Sequence, residues 1–254
     1  MTRVVSGQGL GRHAVALRRS IQIYYRDAAR TARMDRLNGT FAAPGALVFD
    51  IGAHIGDRTG SFLRLGASVV AVEPQPRLFR ALRLIYGRCP RATLRPLAVG
   101  AVSGEIDLHL NSRNPTVATA AEDFIAAAAD APGWRDQVWD GRVTVPATTL
   151  DRLIAEHGLP DFVKIDVEGH EPAILRGLGQ ALPALSFEFT TIQREAAHRC
   201  LARLGALGAY EYNLSLGEDH ALHHRTWLSP EALAAELEAL PHAANSGDVY
   251  ARRI

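Results

Sequence analysis

Between residues 46 and 73 the chain carries two short apolar runs with a helical stretch between them. Ala46-Leu-Val-Phe-Asp-Ile-Gly52 is apolar almost throughout and closes on glycine, which predicts a parallel strand buried on both faces. A helix follows through Leu65 and Gly66. A second run, Ser68-Val-Val-Ala-Val-Glu73, stops at Pro74, and Arg77 to Tyr86 returns to helical spacing. Strand, helix, strand, helix is the pattern of βαβ units, because parallel strands need a crossover long enough to hold a helix. Beyond them, strands are predicted over Ala92 to Val99, Gly104 to Leu110, Arg142 to Val145, Asp161 to Val167, Ala184 to Phe189, Tyr210 to Leu216 and Asp248 to Arg253. Helices are predicted over Thr149 to His157, ended by Gly158 and Pro160, and over His170 to Leu178, Arg194 to Leu207 and Pro230 to Leu240, the last with Ser229 as its N-cap. No short-period repeat and no low-complexity linker divides the series, so one α/β domain is expected.

Two segments stand outside this alternation. From Arg12 to Leu37, Val15, Leu17, Ile21, Tyr24 and Tyr25 fall at helical spacing among many arginines, which predicts one or two amphipathic helices ahead of the core, ended by Asn38-Gly39 and Pro44-Gly45. Asn111 to Gly141, with Asn114-Pro115, the alanines around Phe124 and Pro132-Gly133, predicts a loop with an inserted helix, the kind of excursion that covers a site.

Charge and cysteine content narrow the function. Among 254 residues, 28 Lys and Arg stand against 27 Asp and Glu for a formal charge of +1, so no global field draws the protein toward nucleic acid or anionic lipid. No apolar stretch is long enough to cross a bilayer, and no apolar h-region follows Arg3, Arg12, Arg18 and Arg19, so no membrane association and a cytoplasmic location are expected. Cys89 and Cys200, without metal-ligand spacing, suit a reducing compartment and read as small buried hydrophobes.

The chemistry-bearing residues fall at strand ends. In Asp50-Ile-Gly52-Ala53-His54-Ile-Gly56 a strand turns into a helix, so Gly52 can let a ligand approach the backbone while the free N–H groups of the helix point into the same crevice. The spacing is GxxxG behind an acid, not the GxGxxG that holds a pyrophosphate. An acid there suits the α-amino group of a ligand such as S-adenosylmethionine. Glu73, at the end of the next predicted strand, is placed to accept both hydrogen bonds of a ribose diol, a role an NAD site would share. Further on, Lys164, Asp166 and Glu168 have strand parity and share one face, opposite Val163, Ile165 and Val167. Charges on a central strand are costly unless paired or used. One reading pairs Lys164 with a carboxylate such as Glu188 of the neighbouring strand; the other puts Asp166 and Glu168 where open α/β sheets bind ligands.

Asp50-Ile-Gly-Ala-His-Ile-Gly56, Ala71-Val-Glu-Pro74, Thr149-Leu-Asp151, Lys164-Ile-Asp-Val-Glu-Gly169, Ser186-Phe-Glu-Phe189 and Gly247-Asp-Val-Tyr250 together resemble the signature blocks of the FkbM-family methyltransferases, over about Pro44 to the C-terminus. The resemblance implies a class I, Rossmann-like fold: a mostly parallel seven-stranded sheet with helices on both faces and an antiparallel last strand. It divides the chain into an N-terminal helical extension, 1–43, and a methyltransferase domain, 44–254. It also implies transfer of a methyl group from S-adenosylmethionine, usually to an oxygen of a sugar, polyketide or similar metabolite. Carried over residue by residue, Asp50, Gly52, Ala53, His54 and Gly56 belong to the turn that holds the methionine moiety, Glu73 takes the ribose, and Ala98 and Val99 lie against the adenine.

A hydroxyl acceptor also calls for a base. Asp166 and Glu168 are the first candidates, with His170 and Glu188 next. Asp166, Glu168 and Glu188 could also supply the oxygen ligands of Mg²⁺, but sequence fixes no geometry for them and no metal ligand is assigned. His220, His223 and His224 read as a surface cluster, Arg18-Arg19 and Arg30 to Arg36 as solvated helix faces, and Trp134, Trp139 and Trp227 as packing outside the central strands. The expected partner is a small-molecule or saccharide acceptor, the oligomeric state is open, and the competing readings are an NAD-type oxidoreductase and a non-catalytic ligand-binding scaffold.

Overall fold

Residues 27–254 are described by the computed structural model. In chain order they form α1 (Ala28–Asn38), β1 (Leu47–Ile51), α2 (Asp57–Arg64), β2 (Ser68–Val72), α3 (Pro76–Tyr86), β3 (Ala92–Arg95), β4 (Ala98–Val99), β5 (Gly104–Leu110), α4 (Glu122–Ala129) and β6 (Gly141–Thr148). There follow α5 (Leu150–His157), β7 (Phe162–Ile165), α6 (Glu171–Arg176), β8 (Ala184–Thr190), α7 (Arg194–Leu207), β9 (Tyr210–Leu216), α8 (Pro230–Ala239) and β10 (Ser246–Arg253). The main sheet has seven strands in the order β3-β2-β1-β7-β8-β10-β9, parallel except for β10, which runs antiparallel to β8 and β9. This is the expected Rossmann-like α/β architecture.

The central strands are mostly apolar because both faces of the sheet are covered. Val48, Val69 and Phe162 pack toward α2 and α3 with Phe62, Leu63 and Leu82, whereas their neighbours Phe49, Val70 and Val163 pack on the other side with Leu150, Leu153, Ile174 and Cys200. Phe41, just ahead of β1, stacks on Phe162 and Tyr250 with ring centroids 4.9 and 5.1 Å away. The helix ends follow from local chemistry: Thr149 and Ser229 accept from the backbone N–H groups of Arg152 and Ala232, as N-caps do.

The structure departs from the sequence reading in several places, each for a physical reason. The strand expected over Ala92 to Val99 breaks at Pro96, which has no N–H for a ladder; β3 stays in the main sheet, and β4 joins β6 and β5 in a separate three-stranded sheet. The strand expected to reach Val167 ends at Ile165, and the chain turns through Glu168 at φ 55° and Gly169 at φ 91°. Cys89 is half-buried, while Cys200 is buried as expected. Of the expected N-terminal helices only α1 falls on described residues; Val15, Leu17, Ile21, Tyr24 and Tyr25, with Arg18-Arg19, lie outside them. Arg33 and Arg36 are exposed, but Arg30 is buried and donates to Asp57 at 3.0 Å and to Glu218 at 2.6 Å. It holds α1 on α2, together with the Asn38–Ser61 and Asp35–Arg64 hydrogen bonds. No helix among the described residues is long and apolar enough to cross a membrane.

Candidate active site

From β1 the chain lays down β2 and β3 on one side and later returns to place β7 and β8 on the other, so strand order reverses between β1 and β7. Turns that leave two such strands in opposite directions open a crevice at their carboxyl ends. A cavity of about 220 Å³ lies there, lined by Asp50, Gly52, Ala53, His54, Glu73, Ala98, Val99, Asp166, Glu168, His170 and Glu188. Of the sequence-predicted site residues only Gly56 is absent from its wall. Gly56 precedes α2 at φ 88°, and a Cβ there would fall 2.5 Å from the Tyr86 ring and 2.6 Å from Leu82, so its role is packing.

On the β1–β2 side the cavity offers two carboxylates to one ligand. Asp50, 1% exposed at the end of β1, accepts from Thr59 Oγ1 at 2.5 Å; burial, abetted by the charge of Asp57, pushes its pKa up to about 6. Glu73, 2% exposed, accepts from the backbone N–H of His54 at 2.8 Å and of Gln75 at 2.7 Å, which fixes the orientation of its carboxyl group; burial pushes its pKa up to about 8. Each Glu73 oxygen retains a second lone pair for a ligand hydroxyl. His54, at φ 52°, is held by that same hydrogen bond, and burial keeps its imidazole neutral. Leu97, Ala98, Val99 and Leu108 supply an apolar wall. Gly52 lines the cavity as expected and has a second reason to lack a side chain: a Cβ at this φ 84° residue would meet the Asp166 carbonyl oxygen at 1.9 Å, so glycine also admits the turn after β7. Buried acids for an amine and a diol beside an apolar wall for a ring are what an amino-acid nucleoside such as S-adenosylmethionine requires.

The opposite wall is acidic. Asp166 and Glu168 lie in the turn after β7, and Glu188 is on β8; one carboxylate oxygen from each comes within 4.8 Å of the others. The expected Lys164–Glu188 pair does not form. The Lys164 ammonium, 3% exposed, instead donates to Asp248 of β10 at 2.6 Å and to Asp166 at 3.2 Å. Burial would raise the Asp166 carboxyl, but Lys164 and Arg58 hold it below the usual range. At Glu168 and Glu188 the pull of Lys164 is the smallest influence; burial first, then neighbouring carboxylates, drives both carboxyls well above the usual range. Burial, followed by the charge of Arg176, lowers His170 to about 4, so its ring is neutral near pH 7.

The Asn111–Gly141 segment reaches the site as expected. Thr116, Ala118 and Ala120 line the cavity, Gln75 Nε2 donates to the Pro115 carbonyl at 3.0 Å, and Thr119 Oγ1 donates to the Glu168 carbonyl at 2.6 Å, tying the segment to the acidic turn. Trp134 and Trp139 pack beneath it around Phe124, while Trp227 lies under the Arg252 guanidinium. Sequence reasoning missed Arg58, Asp57 and Glu218, which also line the cavity and are joined by ion pairs. It also missed Asp248, although an acid between apolar neighbours in Gly247-Asp-Val-Tyr250 was a usable signal. His220 is buried against Glu218 rather than on the surface, and His223 and His224 both face Glu236.

The raised pKa of Glu73 has a consequence for stability. Its folded-state value of about 8 exceeds the ordinary 4.5, so the native state retains a proton that the unfolded chain has lost, and stability falls as pH rises through 8. Between about pH 7 and 9 the loss from this group comes to about 1.4 kcal/mol, one pKa unit's worth. Urea unfolding of the ligand-free protein at the two pH values checks this, with Glu73→Gln expected to reduce the difference; an equal pH dependence in both proteins would disprove the assignment.

Residues 50–229 match the family model described as "Methyltransferase FkbM domain". The hexuronic acid methyltransferase AglP of Haloferax volcanii is 29% identical over 148 residues, which cover 58% of this chain and 55% of that protein; the match thus spans about half the length of the relative. Among solved structures, the chain is similar to a TehB-like SAM-dependent methyltransferase from Corynebacterium glutamicum, with a TM-score of 0.44, 13% identity and coverage of 96% of this chain and 99% of that one. It is also similar to an O-methyltransferase from Bacillus cereus in complex with SAH, with a TM-score of 0.48, 10% identity and coverage of 99% and 92%.

Proposed function

The chain belongs to the FkbM methyltransferase family, its domain being an S-adenosylmethionine-dependent methyltransferase domain, and from that premise we propose that it methylates a hydroxyl oxygen of a small metabolite, sugar or glycan. The observation that carries this reading is the placement of Asp50 and Glu73, two nearly inaccessible carboxylates at the ends of adjacent parallel strands, on one cavity whose far wall holds Asp166, Glu168 and Glu188. A saccharide acceptor is favoured because the curated relative is named for hexuronic acid. A reducing, cytoplasmic setting remains part of the same reading.

When bound, S-adenosylmethionine supplies a methyl group activated by a positively charged sulfur. The protein's residues then have three tasks. Glu73 takes the ribose diol and Asp50 the α-amino group, while Leu97, Ala98, Val99 and Leu108 keep water from the ring. The acidic wall orients the acceptor and accepts its proton. Asp166 stays ionised but is a weak base, because Lys164 stabilises its charge; Glu168 and Glu188, with raised proton affinity, are the stronger bases once ionised. His170, a neutral ring that also lines the cavity, positions the acceptor. No specific observation favours the oxidoreductase or scaffold alternatives.

Calorimetric titration with S-adenosylhomocysteine and NAD, followed by a methyl-transfer assay on hexoses and hexuronic acids with labelled S-adenosylmethionine, tests the proposal. Saturable binding of the sulfur nucleoside, none of NAD, and label on an acceptor oxygen are expected. Binding of NAD alone would overturn it.

A further inference from the structure

Three carboxylates converge on the acceptor side of the cavity with one lysine among them. Asp166 Oδ2 accepts from Lys164, so one of the three charges is offset within the protein. Glu168 is 8% exposed, and among the described residues no donor reaches its Oε2 or the Oε2 of Glu188. Buried carboxylate oxygens normally accept hydrogen bonds, and one left without a donor costs free energy.

We propose that Asp166, Glu168 and Glu188 form a binding site for one hard divalent cation, Mg²⁺ or Mn²⁺, which holds the acceptor hydroxyl in the cavity. The donor set is all oxygen, as such ions prefer, and comes from two adjacent strand ends. Three protein ligands leave coordination positions for the acceptor and water. A hydroxyl on a divalent ion loses its proton more readily, so with Glu168 and Glu188 taken up as ligands the proton can pass to water in place of these carboxylates. Cation binding stands on these residues alone, whereas its service to the acceptor rests on the methyl-transfer reading above.

The test uses the full chain, stripped with chelator and titrated with Mn²⁺ by electron paramagnetic resonance and calorimetry, with Mg²⁺ as competitor. One Mn²⁺ per chain is expected with a dissociation constant at or below about 1 mM. Glu168→Gln and Glu188→Gln are each expected to weaken it by at least about tenfold. Either substitution removes a buried charge, so the variants should fold, and unchanged circular dichroism checks that they do. His224→Ala is expected to retain the wild-type affinity, which separates this site from the His223, His224 and Glu236 group. Failure of Mn²⁺ to bind, or binding indifferent to both glutamate variants, overturns the proposal. S-adenosylhomocysteine is titrated in parallel: uptake of the nucleoside without the cation sinks the cation site alone, and uptake of the cation without the nucleoside sinks the methyltransferase reading.

Discussion

Gly52→Ala is expected to lower stability by about 4 kcal/mol or more, a large share of the roughly 5–15 kcal/mol that holds an ordinary domain folded. Two costs combine. At φ 84° an alanine carries the penalty of a left-handed conformation, about 1–2 kcal/mol. The larger cost is steric: its Cβ would sit 1.9 Å from the Asp166 carbonyl oxygen and 2.9 Å from the carbonyl carbon, both backbone atoms that no rotamer change can move. Relief requires parting the turns after β1 and β7, which are locked by hydrogen bonds from Asp166 N to Ile51 O and from Gly52 N to Val72 O, each 3.0 Å. Gly45→Ala separates the two costs, because Gly45 has a similar φ of 87° with nothing within 4 Å of a built Cβ. Urea denaturation of both variants should show the Gly45 substitution costing only the conformational part. Equal losses at the two positions would show that the β1–β7 approach is not tight.

That contrast bears on what the sequence could reveal. Apolar runs such as Leu47–Ile51 and Ser68–Val72 were legible as buried parallel strands, since burial on both faces leaves no polar position to confuse the pattern. Asp50 and Glu73 were legible for the same reason, being acids at the very ends of such runs. The alternation of Lys164, Asp166 and Glu168 was misleading, because it continued in the letters after the strand had ended at Ile165. The left-handed turn at Glu168 and Gly169 has little local signature beyond one glycine, yet it is what carries the Glu168 carboxylate to Glu188. Pairings across long separations were also illegible: nothing near Lys164 names Asp248 as its partner, and nothing near Arg30 distinguishes it from the exposed Arg33 and Arg36. Gly52 was legible as necessary, but only the neighbouring backbone shows the second reason.

Glu73→Gln and Asp50→Asn are expected to divide the nucleoside between them. At pH 9, where Glu73 and Asp50 are both ionised, a charged hydrogen bond contributes about 1.5–3 kcal/mol, so losing one weakens binding roughly 10- to 100-fold. Gln at position 73 keeps one acceptor oxygen but sets an amide N–H₂ against one of the two backbone donors, His54 or Gln75, so both the diol contact and its orientation suffer. S-adenosylhomocysteine and 5′-methylthioadenosine share the ribose and adenine, but only the former has an α-amino group. Glu73→Gln should therefore weaken both ligands alike. Asp50→Asn keeps an acceptor for the Thr59 hydroxyl while removing the charge that faces the amine, so it should weaken S-adenosylhomocysteine and leave 5′-methylthioadenosine close to wild type. Calorimetry on the four combinations decides the matter. If Asp50→Asn reduced both affinities equally, Asp50 would be shaping the turn rather than meeting the amine, and the orientation assigned to the ligand would have to be reversed or abandoned.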